Sequence, residues 1–319
     1  MCGIGGFYNT NSTNTPLKCL EDLWTGLEDR GTHAHGLAFN WVGADKPVSI
    51  KQAGPASDSL HLVNKFLGGN QLRYVLLHTR YTTQGSVENN GNNHPIVRDG
   101  ITLTHNGVLR NDKHVFSTLK VSPMYQVDSE ALNVALAVKN INWLADNVKG
   151  SISLAWIDEK DSSQNVHLFT NGGNPLTIAR TKCGNIVWAS CLHHIEASGF
   201  EIKNSFSAVP FKEYILRPDG AIKSKWVSKQ RKLANVNTYH SSQYSNWYKN
   251  LSWDDIDDFE NNSIKVSHPS SKARAKKSTP IPNKSKVHAS SVSEQAINDD
   301  WAYSDSRGWF MISEEEGEY

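Results

Sequence analysis

Cys2 stands directly behind the first methionine, in Met1-Cys2-Gly3-Ile4-Gly5-Gly6-Phe7. A methionine before a small side chain is normally removed. Its loss would leave one residue carrying both a free α-amine, with an ordinary pKa of about 7.7–8.0, and a thiol near ~8.5. The thiolate attacks and the amine takes the proton, so one residue supplies nucleophile and base for acyl transfer. A Met-Cys pair alone carries no such meaning, since a second position tolerates many small residues. The segments downstream supply it.

Four of them follow in order: Glu28-Asp29-Arg30-Gly31-Thr32-His33-Ala34-His35-Gly36, His78-Thr79-Arg80-Tyr81-Thr82-Thr83-Gln84-Gly85, Asn93-His94-Pro95 leading to Thr104-His105-Asn106-Gly107-Val108-Leu109-Arg110-Asn111, and Val127-Asp128-Ser129-Glu130. Short apolar, β-rich runs must position them, at 36–41, 74–79, 101–105, 152–157, 166–170, 176–179 and 186–189. Helical periodicity covers 17–30, through Leu17, Leu20, Leu23, Trp24 and Leu27. It recurs over 128–141, through Ala131, Leu132, Ala135, Leu136 and Val138, with Asp128 and Ser129 expected to cap the start. Many strands and few helices predict a layered α+β fold with sheets packed face to face. A chain of this size can bury roughly 70% of its unfolded surface without a staple.

At these residues the chain resembles the class II glutamine amidotransferases, whose glutaminase domain is an N-terminal-nucleophile hydrolase. The resemblance spans roughly 2–220 and rests on the Cys-Gly-Ile start, His-Thr-Arg-Tyr-x-Thr-x-Gly, His-Asn-Gly and Asp-Ser-Glu in that order. It implies a four-layer αββα sandwich and a glutaminase domain over 2–225.

It also implies roles. Cys2 is the nucleophile, and Asn106 with Gly107 forms the oxyanion hole. Arg80 grips the α-carboxylate of glutamine by bidentate bonds and Asp128 pairs with its α-ammonium. Tyr81, Thr83 and His94 line the substrate site, and Arg30 orders the amino end. Two positions depart from the family pattern. His33 stands where an aspartate is common, and Ala189-Ser190-Cys191 replaces Ala-Ser-Asp.

The remaining composition narrows the class. A net charge of +1, from 33 basic and 32 acidic residues, gives no pull toward nucleic acid or an anionic membrane. Cys2, Cys19, Cys183 and Cys191 lack CxxC or Cys/His ligand spacing. His33, His35, His193 and His194 find no carboxylate or cysteine at ligand spacing in the sequence, so no metal and no cofactor is expected. No apolar run approaches the ~18 residues of a membrane span, and no basic n-region precedes a hydrophobic stretch. A cytoplasmic protein is expected.

Beyond about residue 226 the chain becomes charge-blocked and low in complexity. An acidic cluster runs from Asp254 to Glu260, the charges over 265–286 are all basic, and Glu314-Glu315-Glu316 lies near the end. Such a segment, 226–319, is expected to be largely disordered. Trp247, Trp253, Phe259, Trp301, Trp309 and Phe310 are the exceptions, as docking motifs. With no room there for a packed acceptor domain, the ammonia acceptor is expected on a separate synthetase or transferase. A free-standing glutaminase and a catalytically silent glutamine-binding scaffold stand as alternatives. Basic residues in a tail of this kind are a solvated linker rather than a nucleic-acid site.

Overall fold

The alternation of apolar residues along each strand divides the protein into layers. In the computed structural model, which describes residues 1–10, 14–68, 71–227, 301–304 and 308–311, two sheets are stacked. All these residues belong to one unit, Met1–Val236 with Trp301–Tyr319. Among them the larger sheet has the order β11 (Ile202–Ser207), β9 (Thr177–Thr181), β10 (Ile186–Ala189), β1 (Gly3–Tyr8), β4 (Leu72–Arg80), β2 (Ala34–Trp41), β3 (Val48–Ala53), β15 (Gly308–Met311), β14 (Trp301–Ser304). The smaller runs β13 (Ile222–Trp226), β12 (Lys212–Leu216), β8 (Val166–Thr170), β7 (Gly150–Asp158), β6 (Ile101–Leu109), β5 (Ile96–Arg98).

Side chains on a strand alternate between faces, and the three buried clusters follow that rule. Phe7, Val75, Leu77, Leu37 and Phe39 face helices α1 (Leu17–Gly26), α2 (His61–Leu67) and α6 (Leu192–Ala197). Ile4, Tyr8, Tyr74 and Leu76 turn the other way, against Ala155, Ile157 and Leu168 of the smaller sheet. Ile152, Leu154 and Trp156 point outward onto α3 (Asp112–Leu119), α4 (Glu130–Val138) and α5 (Ile141–Asn147). Three cores separate four layers, so the αββα expectation holds.

The first helical stretch is where its apolar rhythm puts it, with a 3-10 turn over Leu27–Arg30 completing it. The second differs. It starts at Glu130 and stops at Val138, and α5 begins after Asn140, whose side chain accepts from the Trp143 N–H at 3.0 Å. Neither Asp128 nor Ser129 caps α4. Their oxygens serve the site below.

The tail also differs at two places. Trp301–Ser304 and Gly308–Met311 pair antiparallel, and Trp309 lies parallel to Ile50 of β3. Backbone pairing at a sheet edge asks little of composition, which is why a low-complexity segment can supply it. The other aromatics set apart in the tail, Trp247, Trp253 and Phe259, and the expectation of disorder itself, lie outside the described residues.

Candidate active site

β1 and β4 are antiparallel with Gly3 opposite Thr79. Continuing that register by one residue puts Cys2 beside Arg80, on the same side of the sheet. Cys2 is only half-buried, and its thiol points to the Tyr81 carbonyl oxygen at 3.6 Å. Burial pushes the thiol up. A hydrogen bond with the Tyr81 backbone, the Met1 ammonium and Arg80 pull it down, and Asp128 pushes it up further. Cys2, Arg80 and Asp128 therefore share one electrostatic environment.

Arg30 comes from the 3-10 turn. Its Nε donates to the Cys2 carbonyl oxygen at 2.8 Å. The neighbours of Asn106 also define its amide orientation, with Nδ2 donating to the Cys2 carbonyl at 3.0 Å and Oδ1 accepting from Arg30 Nη2 at 3.3 Å. Asn106 is buried in β6, and its own carbonyl accepts from Asn174 Nδ2 at 3.1 Å. An amide nitrogen carries two hydrogens. One is committed to Cys2, leaving the other for an incoming oxygen.

Gly107 has φ 155°, and a Cβ there would overlap the Ser151 carbonyl of the paired strand. Only glycine fits. Gly31 is constrained in the same way, against the backbone of Arg80 and Tyr81. The Arg30-Gly31 pair is thus a guanidinium on a turn that must pass close to β4.

Arg80 is buried, with Nη1 donating to Asn93 Oδ1 at 2.6 Å and Nη2 donating to the carbonyls of Gln84 (2.5 Å) and Gly85 (3.1 Å). The 81–93 loop is folded around this side chain. Burial lowers the Arg80 pKa, opposed by Cys2 and Asp128. Asp128 Oδ2 accepts from the Leu109 N–H at 2.6 Å, and Oδ1 accepts from Ser129 Oγ at 3.3 Å. Ser129 Oγ in turn meets His105 Nδ1 at 2.9 Å.

Tyr81 is 49% exposed and stacks on His33 at 4.8 Å. Thr83 is exposed on the same loop. His94 is buried and stacks on His78 at 4.2 Å. His78 Nε2 donates to the His105 carbonyl at 3.1 Å, across to the smaller sheet. The His94 ring is thus packed against β4, on the histidine two residues before Arg80.

Some contributors went unassigned in the sequence. Asn93 holds Arg80. His33 Nδ1 accepts from the Thr82 N–H at 3.0 Å, tethering the loop after β4. Glu130 has no exposure; it pairs with Arg98 and accepts from the N–H groups of Met124 (2.8 Å) and Tyr125 (2.9 Å), bracing the segment that carries Asp128. Asn93 and Glu130 both lie inside quoted motifs, so the signal was present without a role. The metal expectation rested on spacing along the chain, and there the fold differs. Asp29 meets His193 and His194 with ligand atoms within 4.8 Å of one another, because the 3-10 turn lies against the α6 end of the sheet.

A family model described as a glutamine amidotransferase domain matches residues 78–197. The glutamine–fructose-6-phosphate aminotransferase (isomerizing) of Francisella tularensis is 28% identical over 195 residues, covering 56% of this chain and 30% of the relative. That of Wigglesworthia glossinidia brevipalpis is 29% identical over 157 residues, covering 48% and 24%. The 7-cyano-7-deazaguanine synthase of Saccharolobus solfataricus is 21% identical over 255 residues, covering 74% and 53%. The solved glutamine phosphoribosylpyrophosphate amidotransferase from B. subtilis, complexed with ADP and GMP, superposes with a TM-score of 0.55 at 20% identity, covering 70% of this chain and 49% of that one. That likeness is one of fold. The chain spans between about a quarter and a half of the length of these relatives.

Proposed function

We propose that this chain, whose residues 78–197 match a glutamine amidotransferase domain, is a class II glutamine amidotransferase that hydrolyses the side-chain amide of glutamine through Cys2. One observation carries the reading. Asn106 and Arg30 both hold the Cys2 carbonyl, while Arg80 and Asp128 act on the same thiol.

Once Met1 is removed, the α-amine belongs to Cys2. Sγ attacks the amide carbon as the thiol proton passes to that amine. The carbonyl electrons move onto oxygen, where the second Asn106 hydrogen and the Gly107 N–H receive them. The amine returns its proton to the departing nitrogen, and ammonia leaves as the C–N bond breaks. Water, deprotonated by the same amine, then attacks the thioester and releases glutamate.

Arg80 and Asp128 select a zwitterion. A planar guanidinium matches a carboxylate, and a buried carboxylate rewards an ammonium. Tyr81 and Thr83, exposed on the loop after β4, are assigned to line the glutamine site, with buried His94 stacked on β4. In this reading the ammonia passes to an acceptor outside the glutaminase domain, on a separate synthetase or transferase.

The test is glutamate release by the purified chain, with mass spectrometry for Met1 loss. The expected result is turnover that Cys2→Ala removes while the fold persists. Equal turnover in Cys2→Ala overturns the nucleophile. Stimulation by a co-purifying synthetase supports the separate acceptor, and turnover indifferent to every partner favours a free-standing glutaminase.

A further inference from the structure

The guanidinium that organises the nucleophile is without a carboxylate partner. Among the described residues Arg30 makes no ion pair. Its donors reach the Cys2 carbonyl, Asn106 Oδ1 at 3.3 Å, the Cys191 sulfur at 3.6 Å and the Met1 sulfur at 3.8 Å. A thiol is a weak acceptor. Burial pushes the Cys191 thiol up, against the pull of Arg30, so at neutral pH it brings no charge.

A charge does lie one step further out. Asp29 Oδ1 meets His194 Nε2 at 3.0 Å, and Oδ2 meets His193 Nε2 at 3.2 Å. The other His194 nitrogen, Nδ1, accepts from the Cys191 N–H at 3.3 Å. That acceptor role assigns the tautomer: the proton is on Nε2 and is donated to Asp29. His194 is nearly fully buried, and burial lowers its pKa, keeping the imidazole neutral. Burial also raises Asp29, but the two histidine bonds outweigh it and the carboxyl ends lower than usual. A continuous path of contacts runs Asp29, His194, Cys191, Arg30, Cys2.

The same three donors are close enough for a divalent cation. The tautomer speaks against one. A metal on His194 Nε2 needs the proton on Nδ1, and Nδ1 would then face the Cys191 N–H hydrogen to hydrogen.

We propose that Asp29, His194 and Cys191 are positioning residues for the Cys2 reaction, with Asp29 acting through neutral His194 as the counter-charge that keeps the Arg30 guanidinium on the Cys2 carbonyl and Asn106. This rests on the glutaminase reading. A carboxylate moved to position 191 would touch Arg30 directly and make Asp29 dispensable.

The experiment compares wild type, Asp29→Asn, His194→Gln and the double variant Asp29→Asn/Cys191→Asp. Asp29→Asn and His194→Gln should lose about tenfold or more in kcat, as expected of a displaced catalytic group. KM for glutamine should stay within about twofold, because Arg80 and Asp128 are untouched. The double variant should recover kcat to within about threefold of wild type. Unchanged kcat in Asp29→Asn, or a loss that Cys191→Asp does not restore, overturns the proposal. Alkylation of Cys2 by iodoacetamide, followed by mass spectrometry, reads the same displacement without glutamine. If wild type releases no glutamate, the glutaminase reading fails, and an alkylation rate that shifts in Asp29→Asn and returns in the double variant still decides this one. Saturable zinc binding to wild type that His193→Ala abolishes would also overturn it.

Discussion

Asp128 Oδ2 accepts a 2.6 Å hydrogen bond from the Leu109 backbone N–H, two residues beyond Gly107. The carboxylate assigned to the substrate ammonium is thereby tied to the strand that carries the oxyanion donors. Under the roles proposed, substrate recognition and transition-state stabilisation would both depend on β6. Disturbing either should be felt by the other.

Gly107→Ala is the sharpest probe of that strand. The new Cβ would meet the Ser151 carbonyl, forcing β6 away from β7. A stability loss of about 2–3 kcal/mol is expected, together with loss of glutamate release. Urea unfolding and a glutamate assay check both. A stable, active Gly107→Ala would remove Gly107 from the oxyanion hole.

Arg80→Lys tests recognition of the carboxylate. An ammonium cannot reproduce the three bonds that Nη1 and Nη2 make to Asn93, Gln84 and Gly85, nor a bidentate grip on carboxylate. KM for glutamine should rise about tenfold or more with a smaller change in kcat. Wild-type saturation behaviour would cancel the carboxylate assignment.

Glu130→Ala should remove the fully buried partner of Arg98, leaving it only the half-exposed Asp99 carboxylate at 3.3 Å, and free the N–H groups of Met124 and Tyr125. Breaking such a pair costs about 3–5 kcal/mol. Thermal or chemical unfolding measures it. A neutral result would mean that the segment ahead of Asp128 is held by other means.

Three buried histidines should make the protein sensitive to mild acid. Burial holds His78 to about 3, below the ordinary 6.5, and burial likewise lowers His94 and His105. Below pH 6.5 the unfolded chain takes up protons that the folded chain refuses, so unfolding gains. Stability is complete above 6.5 and declines as pH falls toward 3, by up to about 1.4 kcal/mol per pH unit for each such histidine. Urea unfolding at pH 7.5 and pH 5.5 should show this fall, and His78→Gln should flatten it. Identical slopes in both proteins would contradict the assignment.

The positions proposed to carry the chemistry could be picked out along the chain. Cys2, Arg80, Asn106 and Asp128 each lie in a short motif whose order is specific, and strand alternation together with the first helical rhythm foretold the layers. Local rules went astray where a polar side chain had a better distant partner. Asp128 and Ser129 read as caps because helix starts favour them, yet β6 and His105 claim their oxygens.

What sequence alone determined is which residues are candidates for the chemistry and that two apolar faces per sheet must be covered, because residue type and period are local properties. Only the tertiary structure decided how those residues are held. Arg30 meets Cys191 across 161 positions and His194 meets Asp29 across 165, and no local pattern encodes such pairs. They arise because β10 lies beside β1, bringing the end of one strand and its helix against the turn that guards the nucleophile.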